Sequence, residues 1–285
     1  HKNRSRPVGW GGSDFMIGML TWTPAAGGLR QKSVTLEARN LFHMRVAWTT
    51  VARGPRTPEA VTRRRVLTAA KRLRRAGVTR VVLPEEFSYG AQLEKCGVAP
   101  VSTLPLRRAL AADLTRTAMA ARYLSGGSAR VAVVGDQLSG ELVRAVTELA
   151  LGHRYVLVDV PYGAEALAAQ LRREYGVSLL LSPAREQLEE ADVLVLFAAR
   201  TDLRRKNPVV LPLYDETAPL PPLLLPPALE DQLPQGLQRP QLLAALVEGG
   251  VLRCGQITVG TAERGTARSE TGKAPGIFAK PGAGA

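Results

Sequence analysis

The chain has 285 residues, 45% of them hydrophobic and 22% charged, the composition of one large folded domain or two modest ones. No run of about 18 apolar residues is present, so no membrane span is expected, and two cysteines, Cys96 and Cys254, are too few for a disulfide framework and fit no zinc spacing. The formal charge of +13 asks for an anionic partner, yet ten bases and one acid fall between Arg53 and Arg80 alone, and arginine outnumbers lysine 31 to 7, the usage of a GC-rich genome.

Residues 1–15 are polar and hold no apolar signal-peptide core. They are expected to be a non-native or disordered leader, with the natural start at Met16 or Met19. An N-terminal α/β unit is expected over 16–124. Its first strand is predicted at 41–51, where β-branched and aromatic residues concentrate. Thr57-Pro58-Glu59 then supplies an N-cap, a proline at the first helical position and an acid in the first turn. The helix runs to Ala76 and stops at Gly77, with Val66, Ala69, Ala70, Leu73 and Ala76 as its apolar stripe. The opposite face carries the arginines at 63–65, Lys71, Arg72, Arg74 and Arg75. Such a face can meet nucleic acid, but the segment lacks aromatic residues for base stacking. A solvated helix face is the favoured reading, with nucleic acid as the alternative.

A strand at 78–83, a helix at 85–96 ended by Gly97, a short strand at 98–101 and a long helix at 104–124 follow. That order is a small parallel sheet with right-handed crossovers. Ser125-Gly126-Gly127-Ser128 is the expected domain boundary. The second unit, expected over 129–260, repeats the grammar. Short apolar runs at 130–134, 155–160, 177–181, 193–198 and 209–214 read as strands, those buried on both faces of a parallel sheet running nearly continuously apolar. Helices are predicted at 141–151, 164–175 and 185–190. A proline-dense connector at 219–227 leads to a helix at 240–248 and a returning strand at 251–259. The fold class is α/β with two parallel-sheet units, the second a doubly wound Rossmann-like domain. Residues 261–285 are expected to form a disordered tail.

Gly135-Asp136-Gln137-Leu138-Ser139-Gly140 stands where such a domain places its phosphate loop. In the G-x-G-x-x-G spacing, Gly135 takes the first place and Gly140 the third, expected to serve the turn and the helix–strand packing. Gln137 replaces the glycine that lets backbone approach pyrophosphate. Asp136 is expected to cap the helix with its carboxylate and so compete with a phosphate. Ser139 is expected to cap the helix or line its mouth; the G-x-S-x-G of a nucleophile elbow is absent.

From 129 to 215 the chain resembles the NAD(P)-binding domain of the shikimate dehydrogenase and glutamyl-tRNA reductase type. The resemblance rests on Val131-Ala-Val-Val-Gly135 leading into Gly140, on Asp159 near the end of the second strand, and on Leu188-Glu-Glu-Ala-Asp192-Val-Leu-Val-Leu. It implies a cofactor loop at Gly135, Asp136, Ser139 and Gly140, with Asp159 holding the ribose hydroxyls. It carries over no catalytic residue: Lys71 and Lys95 sit in no matching lysine motif, and Cys96 and Cys254 lack the context of a nucleophile. His43, placed in a strand, and His153, placed in a loop, pair with no other ligand, so no metal site is assigned.

Arg200, Arg204 and Arg205 should follow the carboxyl end of a parallel strand, where α/β sheets bind ligands. With the glycine loop they form an anion-binding candidate. The expected protein is a cytoplasmic, divergent Rossmann-like module without a standard dinucleotide, binding an unidentified small molecule or a protein and no membrane. The alternatives are an NAD(P)-dependent oxidoreductase, with NAD or NADP as cofactor, and a nucleic-acid-associated protein.

Overall fold

The computed structural model describes residues 17–24 and 33–261. The leader expected at 1–15 and the tail from 262 onward lie outside the described residues. Among the described residues no helix is long and apolar enough to cross a membrane.

β1 (Ile17–Thr23) is the centre of the first sheet. β2 (Val34–Leu41) and β3 (Met44–Ala52) form a hairpin where the sequence predicts one strand. Phe42, at φ 53°, and His43 make its turn, so His43 is not in a strand. α1 (Glu59–Arg75) buries Val66, Ala69, Ala70 and Leu73 against Leu20, Ala47, Val51 and Val81 of one sheet face. Gly77, at φ 83°, ends it in the left-handed conformation that glycine adopts without a Cβ penalty. Thr57 does not cap this helix: its hydroxyl accepts the Gly54 N–H at 2.9 Å, closing the preceding turn, and Pro58 takes the cap position.

β4 (Arg80–Val82), α2 (Gly90–Glu94) and β5 (Ala99–Pro100) complete the sheet in the order β2-β3-β1-β4-β5, parallel except for β2. The helix expected at 85–96 shrinks to α2. Phe87 and Tyr89 stay outside it and pack on Trp22, ring centroids 5.9 and 6.0 Å away. The single helix expected at 104–124 breaks at Leu110 into α3 (Leu104–Ala109) and α4 (Ala111–Ala121).

In the second unit the chain runs through β6 (Arg130–Val134), α5 (Gly140–Gly152), β7 (Tyr155–Asp159), α6 (Ala164–Tyr175), β8 (Leu180–Leu181), α7 (Arg185–Glu189), β9 (Val193–Leu196) and β10 (Val209–Pro212). The five strands are all parallel in the order β10-β9-β6-β7-β8. Read from the β8 edge this is 3-2-1-4-5, the strand order of a Rossmann-like sheet. Alternation of side chains divides its two faces. Val131, Val133, Val156 and Val158 pack with Leu142 and Leu149 of α5 and Leu167 and Leu171 of α6. Ala132, Val134, Leu157 and Leu194 face the other way, under Leu188 of α7 and Leu203.

β11 (Leu223–Leu224), α8 (Pro227–Glu230), α9 (Arg239–Glu248) and β12 (Thr258–Val259) follow. The strand expected at 251–259 is reduced to β12, which pairs antiparallel with β11 and joins neither parallel sheet. α9 returns to the first sheet, where Gln238 N–H donates to the Leu83 carbonyl at 2.8 Å and Gln241 Oε1 accepts the Leu83 N–H at 3.0 Å. The break at Leu110 is explained by these neighbours. Both α3 and α4 pack on α5, but α3 also meets α9 whereas α4 also lies along β9, β10 and β12, so the chain turns at Leu110 between these two sets of neighbours. Met19, Leu106, Leu243 and Val133 thereby share one continuous core.

Candidate functional site

Strand order reverses between β6 and β9, and open α/β sheets bind ligands outside the carboxyl ends at such a point. Three loops meet there: Gly135 to Ser139 after β6, Val160 to Gly163 after β7, and Phe197 onward after β9.

Gly135 is buried and donates its N–H to the Asp159 carbonyl at 3.0 Å. A Cβ on it would come within 2.5 Å of Leu142 Cδ1, so glycine is needed here for the approach of α5. Gly140, expected to be the packing glycine, has nothing within 4 Å of where its Cβ would stand. The close helix approach therefore falls on Gly135. Ser139 is the N-cap: its Oγ accepts the Leu142 N–H at 3.2 Å and its carbonyl the Val143 N–H at 2.9 Å. Asp136 does not cap the helix, because the shorter Ser139 side chain adjoins the first turn and satisfies it; Asp136 and Gln137 are exposed. Leu138 leans across the crevice onto Gly163, where a Cβ would meet its Cδ2 at 3.0 Å.

Asp159 ends β7, in the position expected for the ribose acid. Its carboxylate is engaged: Arg200 Nη1, from the loop after β9, donates to Asp159 Oδ2. β6 lies between β7 and β9, so this ion pair spans the carboxyl end of β6. Arg200 also grips Asp202 through Nε at 2.8 Å and Nη2 at 2.9 Å. That fork pushes the Asp202 carboxyl down to about 2. The bonds to Asp202 and then Asp159 raise the Arg200 pKa above its ordinary value. Arg205, at φ 50°, braces the loop by donating to the Arg200 carbonyl at 3.2 Å and to Tyr214 Oη at 2.8 Å. Of the three candidate arginines, only Arg204 has a guanidinium without a hydrogen bond among the described residues; its backbone N–H reaches Glu189 at 3.2 Å.

Two arginines that the sequence pattern does not single out stand on α3 at the same edge. Arg107 is buried and donates to Thr103 Oγ1 at 3.1 Å and to the carbonyls of Glu216 and Ala218 at 2.9 and 2.6 Å. Burial lowers its pKa, against the opposing pull of Asp215 and Glu216. Glu216 in turn accepts the Thr103 N–H at 3.1 Å and pairs with Ser102 Oγ. Arg108 has one long hydrogen bond, from Nη2 to the Phe197 carbonyl at 3.4 Å, and a buried Nε with no partner. Leu-Pro-Leu-Arg-Arg reads as ordinary amphipathic helix, so no local signal distinguishes either residue.

Elsewhere, the basic face of α1 is partly committed to the fold. Arg65 and Arg72 donate to the carbonyls of Ala52 and Val34, and Arg63 pairs with Glu59. Among the described residues no three His, Cys, Asp or Glu side chains are grouped to hold a metal. Among the described residues, a groove of about 310 Å³ between α6 and residues 178–181 lies away from the crevice, as do two larger ones. One, of about 570 Å³, is lined by Glu85 and by Glu230 and Arg239, which close on each other in a two-bond pair. The other, of about 590 Å³, lies at the amino ends of β7 and β8 around His153, Tyr155 and Leu180.

No protein-family model matches the chain, and no curated protein matches it. Among solved structures, part of it is similar to L-tryptophan dehydrogenase from Nostoc punctiforme, at 15% identity over 53% of this chain and 44% of that one, TM-score 0.25. It is also similar to a dipicolinate synthase from Bacillus halodurans, at 20% identity over 41% and 42%, TM-score 0.27. A third is the NAD-complexed D-isomer specific 2-hydroxyacid dehydrogenase from Lactobacillus delbrueckii ssp. bulgaricus, at 14% identity over 55% and 56%, TM-score 0.26. The chain spans under half the length of the first two. The Rossmann-like assignment rests on the strand order of the protein itself.

Proposed function

We propose that the second unit is a divergent Rossmann-like module that takes no dinucleotide in the standard pose and binds a small ligand at its switch-point crevice. The Arg200–Asp159 ion pair carries this reading. A dinucleotide site needs that carboxylate free to accept the ribose hydroxyls, and here a guanidinium from the opposite loop holds it. Separating a partly exposed, charge-assisted pair costs about 1–3 kcal/mol, which lowers dinucleotide affinity about 5- to 150-fold. Leu138 on Gly163 narrows the same crevice. The division near Ser125–Ser128 into units 16–124 and 129–260 is the proposed domain boundary, with α3 and α4 packed against the second unit.

A second reading, an NAD(P)-dependent oxidoreductase, is favoured by the 3-2-1-4-5 order and by the position of Asp159. Thermal shift with NADH and NADPH separates the two, since a ligand of the native state raises the midpoint. The wild-type protein is expected to show no saturable shift with either, and Arg200→Ala to bind NADH more tightly than wild type. Saturable NADH or NADPH binding by the wild type overturns the first reading.

A further inference from the structure

We propose that the switch-point crevice binds its ligand through a carboxylate or phosphate group seated on Arg108. The inference takes from the preceding reading only that this crevice holds a small molecule. Arg107 and Arg108 are consecutive on α3 and differ sharply in what they touch. Arg107 donates from Nε and Nη2 to three acceptors at 2.6–3.1 Å, whereas Arg108 has a single 3.4 Å bond and a buried, unpartnered Nε. Unsatisfied buried donors are rare because they forfeit hydration without replacement, and those that persist call for an explanation such as a ligand.

Its position supplies that explanation. Phe197, the residue it reaches, donates its own N–H to the Val134 carbonyl at 2.8 Å, so Arg108 lies beside the last residue before Gly135, where strand order reverses. The two acids that act on the neighbouring Arg107 are engaged elsewhere. Glu216 is held by Ser102 and Thr103, and Asp215 accepts the N–H and hydroxyl of Thr217 at 2.8 and 2.6 Å. The Ala109 carbonyl near the end of α3 takes Arg144, at 2.8 Å, so Arg108 is not needed there. Among the described residues no carboxylate pairs with it. Arg108 is half-buried, with Nε enclosed, so the paired N–H groups of its two Nη atoms are what would meet the two oxygens of a carboxylate or phosphate, which makes that chemical class the fitting occupant.

The test is calorimetric titration and thermal shift of the full chain with inorganic phosphate and, separately, succinate, against chloride at equal ionic strength. Saturable binding of at least one probe is expected in the wild type, and the stronger of the two names the source as phosphate or carboxylate. Arg108→Gln is expected to weaken it at least tenfold. Arg108→Lys, which keeps the charge and loses the fork, should fall between them, and Arg116→Gln on α4 should leave it unchanged. Binding by neither probe, or equal binding by Arg108→Gln and wild type, overturns the inference and leaves the dinucleotide question untouched. Phosphate binding lost in Arg108→Gln, found together with saturable NADH binding, keeps the inference and removes the reading above.

Discussion

Gly135→Ala should destabilise the protein where Gly140→Ala should not, although the motif spacing gives both glycines equal standing. The added methyl at 135 would stand 2.5 Å from Leu142 Cδ1, with Gln137 O at 3.4 Å and Val160 Cγ1 at 3.5 Å. Carbon atoms in contact settle about 3.5–4.0 Å apart, so the shortfall is about 1 Å. Leu142 is fully buried in a core cluster with Val131 and Val158, so its methyl can move aside only by displacing packed neighbours. Overpacking of that kind costs about 1–3 kcal/mol. Position 140 opens α5 with space around it and no left-handed φ, so alanine there should leave stability unchanged or add up to about 1 kcal/mol of helix propensity. Urea unfolding followed by circular dichroism reads both. With a slope of about 2–3 kcal/mol per molar, the Gly135→Ala midpoint should fall by about 0.3–1.5 M. In Gly135→Ala/Leu142→Ala the two costs should not add, because the second change removes the clash. A wild-type midpoint for Gly135→Ala, or an equal loss for Gly140→Ala, would refute the assignment of the close helix approach to Gly135.

Arg107→Met should cost about 2–4 kcal/mol in the same assay, since it strips donors from the Thr103 hydroxyl and the Glu216 and Ala218 carbonyls in a buried junction. Unchanged stability would show that these bonds hold nothing. His153 should make stability depend on pH. Burial lowers its pKa more than the Gly126 carbonyl raises it, so the folded protein favours the neutral ring. That contribution is complete above the unfolded value of about 6.5 and is lost as pH falls through the lower folded value. Melting temperatures from pH 8 down to 5 should therefore drop less in His153→Asn than in wild type, and an imidazole titrating at or above 6.5 by NMR would contradict the sign.

Local chemistry made much of the architecture legible. The short apolar runs that became β6, β7 and β9 are buried on both faces of a parallel sheet, and such runs read the same way wherever they occur. Gly77 and Gly176 end their helices at φ 83° and 69°, conformations that mark glycine positions in any context. Ser139 caps α5 as its place before the helix foretold. The misses came where neighbours outweighed propensity. The segment at 104–124 has no helix breaker, yet it bends at Leu110, where its first half adds α9 and its second half adds β9 and β10 to the α5 surface they share. Phe87 and Tyr89 left a helical segment for Trp22. Asp136 and Gly140 were assigned from motif position, and the pieces that fill those roles are Ser139 and Gly135.

From its residues alone the chain determined its fold class, the position of the glycine loop, and the acid at the end of the second strand, because periodicity, capping and turn chemistry act over a few residues. Only the tertiary structure decided that Asp159 meets Arg200, 41 residues away, and that Arg108 reaches Phe197, 89 residues away. Those pairings depend on which strands become neighbours and in what order, and that order is fixed by burying both faces of the sheet, a constraint that no short window of sequence contains.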